Sequence, residues 1–175
     1  GLGNVSVEQG EIKLDVNGLL EELAGEIKPG LGRVHMFIQI EHEVVRERTL
    51  ASIFLRPSTA AFLRLVRVRL ADNVPMSREV AWYDLSAAPA LEFWDTRGSA
   101  YAYLQEKCGI SLVQAEQTIE AVMSSAAESL VFEFTEPGPC LLIKRRSYST
   151  TNQLIEYVEG TFRGDAYAYR IKLKT

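Results

Sequence analysis

Residues 60–85 read AAFLRLVRVRLADNVPMSREVAWYDL, and this stretch decides the fold. Ala60 to Leu70 and Val74 to Leu85 are β-rich runs, and between them stand Asp72 and Asn73, with Pro75 just beyond. Short polar residues that tolerate positive φ, set between two such runs, predict a β-hairpin. Arg67 and Arg69 are two apart on the outgoing run, so they share a sheet face, and Arg64 lies on the other. Glu79 is on the returning run. A three-residue loop at Asp72 to Val74 sets it opposite Arg67, while a two-residue loop turns it away, and the pattern leaves both open.

A second hairpin is read further on, Leu141 to Tyr148 and Leu154 to Arg163, turning at Ser-Thr-Thr-Asn. The two hairpins carry a weak repeat: Arg69 precedes Glu79 by ten residues, Arg146 precedes Glu156 by ten, and the same shift of 77 lays Arg67 on Lys144. Upstream of the first hairpin, Arg33 to Arg46 alternates apolar and polar residues as a strand does, and Arg48 to Phe54 is a short-helix candidate. Ser99 as N-cap and Gly109 as C-cap frame a helix over 100–108. Residues 111–123 fit a helical period about as well as an alternating one, Ser124 to Leu130 reads as helix, and residues 137–139 (PGP) read as a turn. A last strand is expected at Ala168 to Lys174, and a helix at Gly18 to Glu26 closing on the Lys-Pro-Gly turn. Each half thus reads strand, short helix, hairpin. A duplicated unit of this kind predicts one antiparallel sheet with helices beside it, the α+β class.

The whole chain, 175 residues and 47% hydrophobic, has the size and composition of one globular domain. Its net charge of −4 provides no general attraction to nucleic acid. Apolar stretches such as Ala60 to Leu63 are broken by arginine far short of the ~20 residues a bilayer requires, so no membrane partner is expected. Cys108 and Cys140 have no metal or redox spacing and read as buried reduced thiols, which points to the cytoplasm. The chain opens on Gly1, with six acids and one base between residues 8 and 26, and this start reads as the remnant of a linker from a larger parent protein.

Chemistry is scarce. No Gly-x-Ser-x-Gly elbow, P-loop or His-Glu-x-x-His stretch occurs, and His35 and His42 are seven apart, on opposite faces of a regular strand. Neither a metal nor a cofactor is expected. Two guanidiniums on one face, Arg67 and Arg69, make an anion site where that face is enclosed, because the planar fork of arginine holds carboxylate or phosphate bidentately. On an open face the same residues pair with acids. Glu79 and Glu156 could bind hydroxyl or amine groups of a ligand or form cross-strand ion pairs.

Taken together, LVRVRLADNVPMSREVAWYDL (65–85), AEQTIEAV (115–122) and GPCLLIKRRSYSTTNQLIEYVEGTFRGDAYAYRIKL (138–173) resemble, in order and spacing, the UTRA domain. This is the effector-binding module of HutC-type GntR-family bacterial transcription regulators. The resemblance runs from about Leu19 to Leu173 and implies a six-stranded antiparallel sheet with flanking helices, the fold shared with chorismate lyase; it also makes residues 111–123 a strand. It implies a linker remnant over 1–17, an effector domain over 18–175, and a DNA-reading winged helix-turn-helix domain outside this chain. It further implies a homodimer that reaches DNA only through that separate domain, and a small anionic metabolite as effector. Carried over by motif, Arg67 and Arg69 contact the anion, Glu79 and Glu156 bind polar groups, and Ser99 and Tyr101 bind anion oxygens at a helix start. Phe162 stands where sugar-phosphate-sensing members usually carry tyrosine, and Gly18 to Leu20 lack the Ser/Thr found there, so a smaller carboxylate or other anion is expected at least as readily. The competing readings are a lyase acting on an aromatic carboxylate such as chorismate, and a pure dimerisation module.

Overall fold

The computed structural model describes residues 5–8, 11–14, 26–27, 35–96 and 99–168. Its elements are β1 (Val5–Glu8), β2 (Glu11–Leu14), β3 (Glu26–Ile27), β4 (His35–Val45), α1 (Arg48–Ile53), β5 (Phe62–Ala71), β6 (Val74–Asp84), a 3-10 turn (Pro89–Phe93), α2 (Ala100–Cys108), β7 (Leu112–Met123), α3 (Ala126–Phe132), β8 (Pro139–Ser149), β9 (Leu154–Arg163) and β10 (Tyr167–Ala168). Six strands form one antiparallel sheet in the order β4-β5-β6-β9-β8-β7, and β1-β2 and β3-β10 make two small ribbons. The segment 112–123 is strand, as the family resemblance implied and the period alone left open. Of the helix expected over Gly18 to Glu26 only Glu26 is described, and it is strand, the start of β3, where pairing with β10 overrides the local helical pattern; the other residues of that helix, and the last strand past Ala168, lie outside the described residues.

The duplication expected from sequence is present in the topology. β4-α1-β5-β6 and β7-α3-β8-β9 have the same element order, and their hairpins meet at the β6–β9 pair in the middle of the sheet. The first hairpin turns on two residues, Asp72 and Asn73, at φ +47° and +66°. Positive φ at both central positions is the primed turn whose twist matches the strands, and Asn and Asp are the side chains that tolerate it.

That two-residue loop alone would have turned Glu79 away from Arg67. A β-bulge reverses the outcome. Leu70 pairs Pro75 but Arg69 pairs Ser77, so Met76 is the extra residue and Arg67 comes to face Glu79. Pro75, which has no N–H to give the ladder, is at home beside such an irregularity. A second bulge, between Gln39 and Glu41 on β4, brings position 42 to the same face as position 35, not the opposite one expected from regular alternation. The two remain about 23 Å apart along the strand.

One sheet face is covered by α2, through a core of Leu63, Leu65, Ala81, Tyr83, Ile155, Leu91, Trp94, Ala100 and Leu104. The other receives α1, where Leu50, Ala51 and Phe54 pack on Phe62, Leu154 and Tyr157. α2 itself is framed as the sequence indicates: Ser99 Oγ accepts from the Ala102 N–H, and Gly109 closes the helix at φ +65°. No helix among the described residues is long and apolar enough to cross a membrane.

Candidate functional site

On β5 the residues facing α2 run Leu63, Leu65, Arg67, Arg69. The first two belong to the apolar core, and the two arginines continue the same face beyond it. Arg64 lies on the opposite face and is held there by Glu41 and Glu43 of β4, the latter at 3.1 Å. Arg67 Nη2 stands 3.8 Å from Glu79 Oε2, and both side chains are about one-fifth exposed. Arg69 is opposite Ser77, which is in turn opposite Phe162 of β9. Ser77 is fully buried and its hydroxyl has no hydrogen-bond partner among the described residues. A buried hydroxyl without a partner costs about 1–3 kcal/mol.

Glu156 occupies the corresponding place in the second hairpin and is far more enclosed, its side chain 3% exposed. Its Oε1 accepts from Tyr101 Oη at 3.1 Å and from Ser147 Oγ at 3.0 Å, and Arg145 Nη2 stands 3.6 Å away. The Arg145 guanidinium also lies 6.0 Å from the centre of the Tyr101 ring. Burial, followed by the Glu156 charge, drives the Tyr101 and Tyr83 hydroxyls well above the ordinary tyrosine range, so both remain donors. Burial pulls the affinity of Arg145 for its proton down, but Glu156, Tyr101 and Glu79 outweigh it and the net shift is upward. The guanidinium is a fixed cation.

The structure therefore brings Arg67 and Glu79 together, and Tyr101 and Glu156 together. Arg69 and Phe162 flank the buried Ser77. Phe162 is buried and stacked on Tyr167 at 4.2 Å between ring centres. Gly160 separates Phe162 from Glu79: a Cβ there would stand 3.1 Å from the Phe162 ring and 3.5 Å from Glu79 Cγ. Ser99 uses its hydroxyl to cap α2 and lines a shallow groove of about 390 Å³ with Phe93, Trp94, Asp95, Ala102, Tyr103 and Glu106.

Sequence reasoning missed Arg145, Ser147, Ser77 and Gly160. For Arg145 the reason is a one-residue slip in the repeat. A shift of 77 lays Glu79 on Glu156 but Arg67 on Lys144, which lies on the wrong face; β5 and β8 match face for face at 78, laying Arg67 on Arg145. Arg146, which the sequence alignment selected, points to the other face and stands over Tyr157 at 5.7 Å. The usable signal was parity with the neighbouring Ile143 and Ser147, the small and apolar residues of the buried face.

The UTRA domain family profile matches residues 31–168. Among characterised proteins, the chain is 27% identical over 106 residues to the HTH-type transcriptional repressor NagR of Bacillus subtilis, covering 61% of this chain and 44% of that protein. It is 27% identical over 138 residues to the histidine utilization repressor of Pseudomonas putida, covering 77% and 52%. The chain thus spans about half the length of these relatives. In three dimensions it is similar to the effector domain of PhnF from Mycobacterium smegmatis, with a TM-score of 0.75, 23% identity and coverage of 81% of this chain and 88% of that one. A ligand-binding domain of a GntR-family regulator from Bordetella bronchiseptica superposes with a TM-score of 0.71 at 18% identity, over 80% and 92% of the two chains. With the fold, the paired hairpins and a profile match over most of its length, the chain belongs to the UTRA domain family, the ligand-sensing module of GntR/HutC-type transcription regulators, and is a regulatory domain, not an enzyme.

Proposed function

We propose that this domain senses a small anionic metabolite on the α2 face of its sheet and thereby adjusts the DNA affinity of a separate N-terminal domain in the cytoplasm. Residues 18–175 form the sensing unit and residues 1–17 the end of the connecting linker. Arg67 and Arg69 hold the anion, Glu79 and Glu156 orient polar groups, and Tyr101, Phe162 and Ser99 shape the surround. The observation that carries this reading is the run Leu63, Leu65, Arg67, Arg69 on one face, with the unsatisfied Ser77 hydroxyl directly across from Arg69. Two arginines two residues apart on one strand face, about 7 Å along the backbone, have side chains long enough to close on one tetrahedral or planar anion.

The sensing works by population shift. An effector changes operator affinity only as far as it binds the DNA-competent and DNA-incompetent arrangements differently. A homodimer suits this mechanism, since two coupled copies read a two-fold operator. Both outer strands also support it: β4 exposes Ile38, Ile40 and Val44, and β7 exposes Val113, Ile119 and Met123, edges that proteins usually cover.

Calorimetric titration with inorganic phosphate and with phosphorylated or carboxylated small metabolites tests the site. Arg69→Ala is expected to weaken binding about ten- to a hundred-fold, consistent with one or two charge-assisted hydrogen bonds. Arg64→Ala, on the far face and paired with Glu41 and Glu43, leaves it nearly unchanged. Equal losses in both variants would reduce the effect to net charge and overturn the assignment.

A further inference from the structure

The second half of the site is not a bare carboxylate. Glu156 Oε1 is already engaged by Tyr101 and Ser147, and Arg145 stands beside it on the same sheet face. Across this face the charged residues are Arg69 and Arg67 on β5, Glu79 on β6, Glu156 on β9 and Arg145 on β8, three cations and two anions. A ligand whose far end offers only hydroxyl donors finds one of the site's two carboxylates already engaged at Oε1 by Tyr101, Ser147 and Arg145. A ligand whose far end is itself an anion finds a guanidinium.

We infer that Arg145 is a specificity-determining residue that selects an effector with two anionic groups, one held by Arg67 and Arg69 and a second, a carboxylate, held by Arg145. The inference rests on the anion site proposed above and names the class of compound that site takes. Geometry limits the ligand's length. β5 and β8 are three strand spacings apart, about 14 Å between backbones, and between them lie Glu79 of β6, paired with Arg67, and Glu156 of β9, paired with Arg145. Glu79 is near enough to both to pair with Arg67 at 3.8 Å and to strengthen proton binding at Arg145, so the two cations address one continuous site. An elongated, flexible dianion fits this arrangement, and a single compact anion engages only one end.

The test uses ω-phosphonoalkanoates with two to six methylene groups, each against its own carboxamide, titrated calorimetrically into the purified chain. At one or more chain lengths the acid binds about tenfold or more tighter than the amide, the margin of one charge-assisted bidentate contact. Arg145→Met abolishes that preference while retaining the weaker binding of the amide, and Arg69→Ala lowers acid and amide together. Because Arg145→Met leaves Glu156 uncompensated, the double variant Arg145→Met/Glu156→Gln, which removes both charges, is measured beside it, and its loss of preference carries the same meaning. If acids and amides bind alike in the unaltered chain while Arg69→Ala weakens both, the anion site stands and the role of Arg145 is overturned. Binding of the whole series that Arg69→Ala leaves untouched, or no binding by any member, overturns the anion site and this inference with it.

Discussion

The two halves of the sheet carry the same pair of residue types and put them to different use. In the first hairpin Arg67 and Glu79 face each other at 3.8 Å with both side chains about one-fifth exposed. In the second, Arg145 and Glu156 are 3.6 Å apart with Glu156 almost wholly enclosed, under Tyr101 of α2 and beside Ser147. Helix α2 makes the difference, because it enters the chain between the halves and places Tyr101 against one carboxylate and not the other. A pair with both members partly exposed keeps its partners exchangeable and is worth little to stability, whereas a pair whose carboxylate is enclosed is costly to break by removing that carboxylate's partners. The duplicated unit has therefore supplied one adaptable end and one fixed end to the proposed site.

Breaking the fixed end has the largest expected consequence. Glu156→Ala leaves Arg145, itself about one-fifth exposed, without its counter-charge and the enclosed Tyr101 and Ser147 hydroxyls without their acceptor, and is expected to cost about 2–4 kcal/mol in urea unfolding. Glu79→Ala, the same substitution in the other half, is expected to cost about 1 kcal/mol or less. Equal costs would show that enclosure by α2 does not separate the two pairs.

Between the two ends lies Gly160, facing Glu79 on one side and Ile143 on the other. Gly160→Ala drives a methyl group against the Phe162 ring, whose stacking on Tyr167 resists the shift, and is expected to destabilise by about 1–3 kcal/mol. Phe162→Ala in the same background should recover part of that loss, and a double-mutant cycle reads the coupling directly.

The turns of the two hairpins differ as well. The first has two consecutive residues of positive φ, Asp72 and Asn73, and the second has Asn152 at φ +59° in a longer loop tied by hydrogen bonds around Ser149. Asn73→Ala is expected to lose about 1–2 kcal/mol and Asn73→Gly to lose nothing, since only the former strains the left-handed backbone. Thermal melts compare the two, and equal behaviour of Ala and Gly would remove the primed turn as the device that fixes this hairpin.

The smallest effect is alkaline. Tyr83 and Tyr101 near Glu156, and Tyr157 hydrogen-bonded to Glu159, are shifted upward chiefly by burial. A tyrosine whose folded value is raised contributes stability that is fully present below its unfolded value, near 10, and is lost as pH climbs from there through the folded value. Absorbance at the tyrosinate band should therefore show these three silent at pH 11 in the folded chain and ionised in urea. Tyr101→Phe should remove one residue from the silent set.

Much of the fold was legible because local chemistry and global pairing agree. Asp72-Asn73 between β-runs, Ser99 and Gly109 at the ends of α2, and the strand-helix-hairpin order written twice each had a local physical cause that the tertiary structure left in force. Residues 112–123 were not legible from period, because β7 is an edge strand exposed along much of its length and so lacks the one-sided burial that makes alternation clean. Of the proposed site, Arg67 and Arg69 were picked out by residue type and parity and Glu79 and Glu156 by residue type and spacing, with the face of Glu79 left open, and Arg145 was passed over through a slip of one.

The sequence by itself determined the strands of both hairpins and the helix between Ser99 and Gly109, where the first hairpin turns, and that Arg67 and Arg69 share a face, since these depend on propensity, capping and the two-residue period of a strand. Tertiary structure alone decided which acid meets which arginine. Bulges at Met76 and Ile155 shift the register by one residue within each hairpin, and a one-residue shift moves every following side chain to the other face. The enclosure of Glu156 by Tyr101 was likewise beyond the sequence, because it joins residues 55 positions apart through the packing of α2, and no local rule fixes where a helix lands on a sheet.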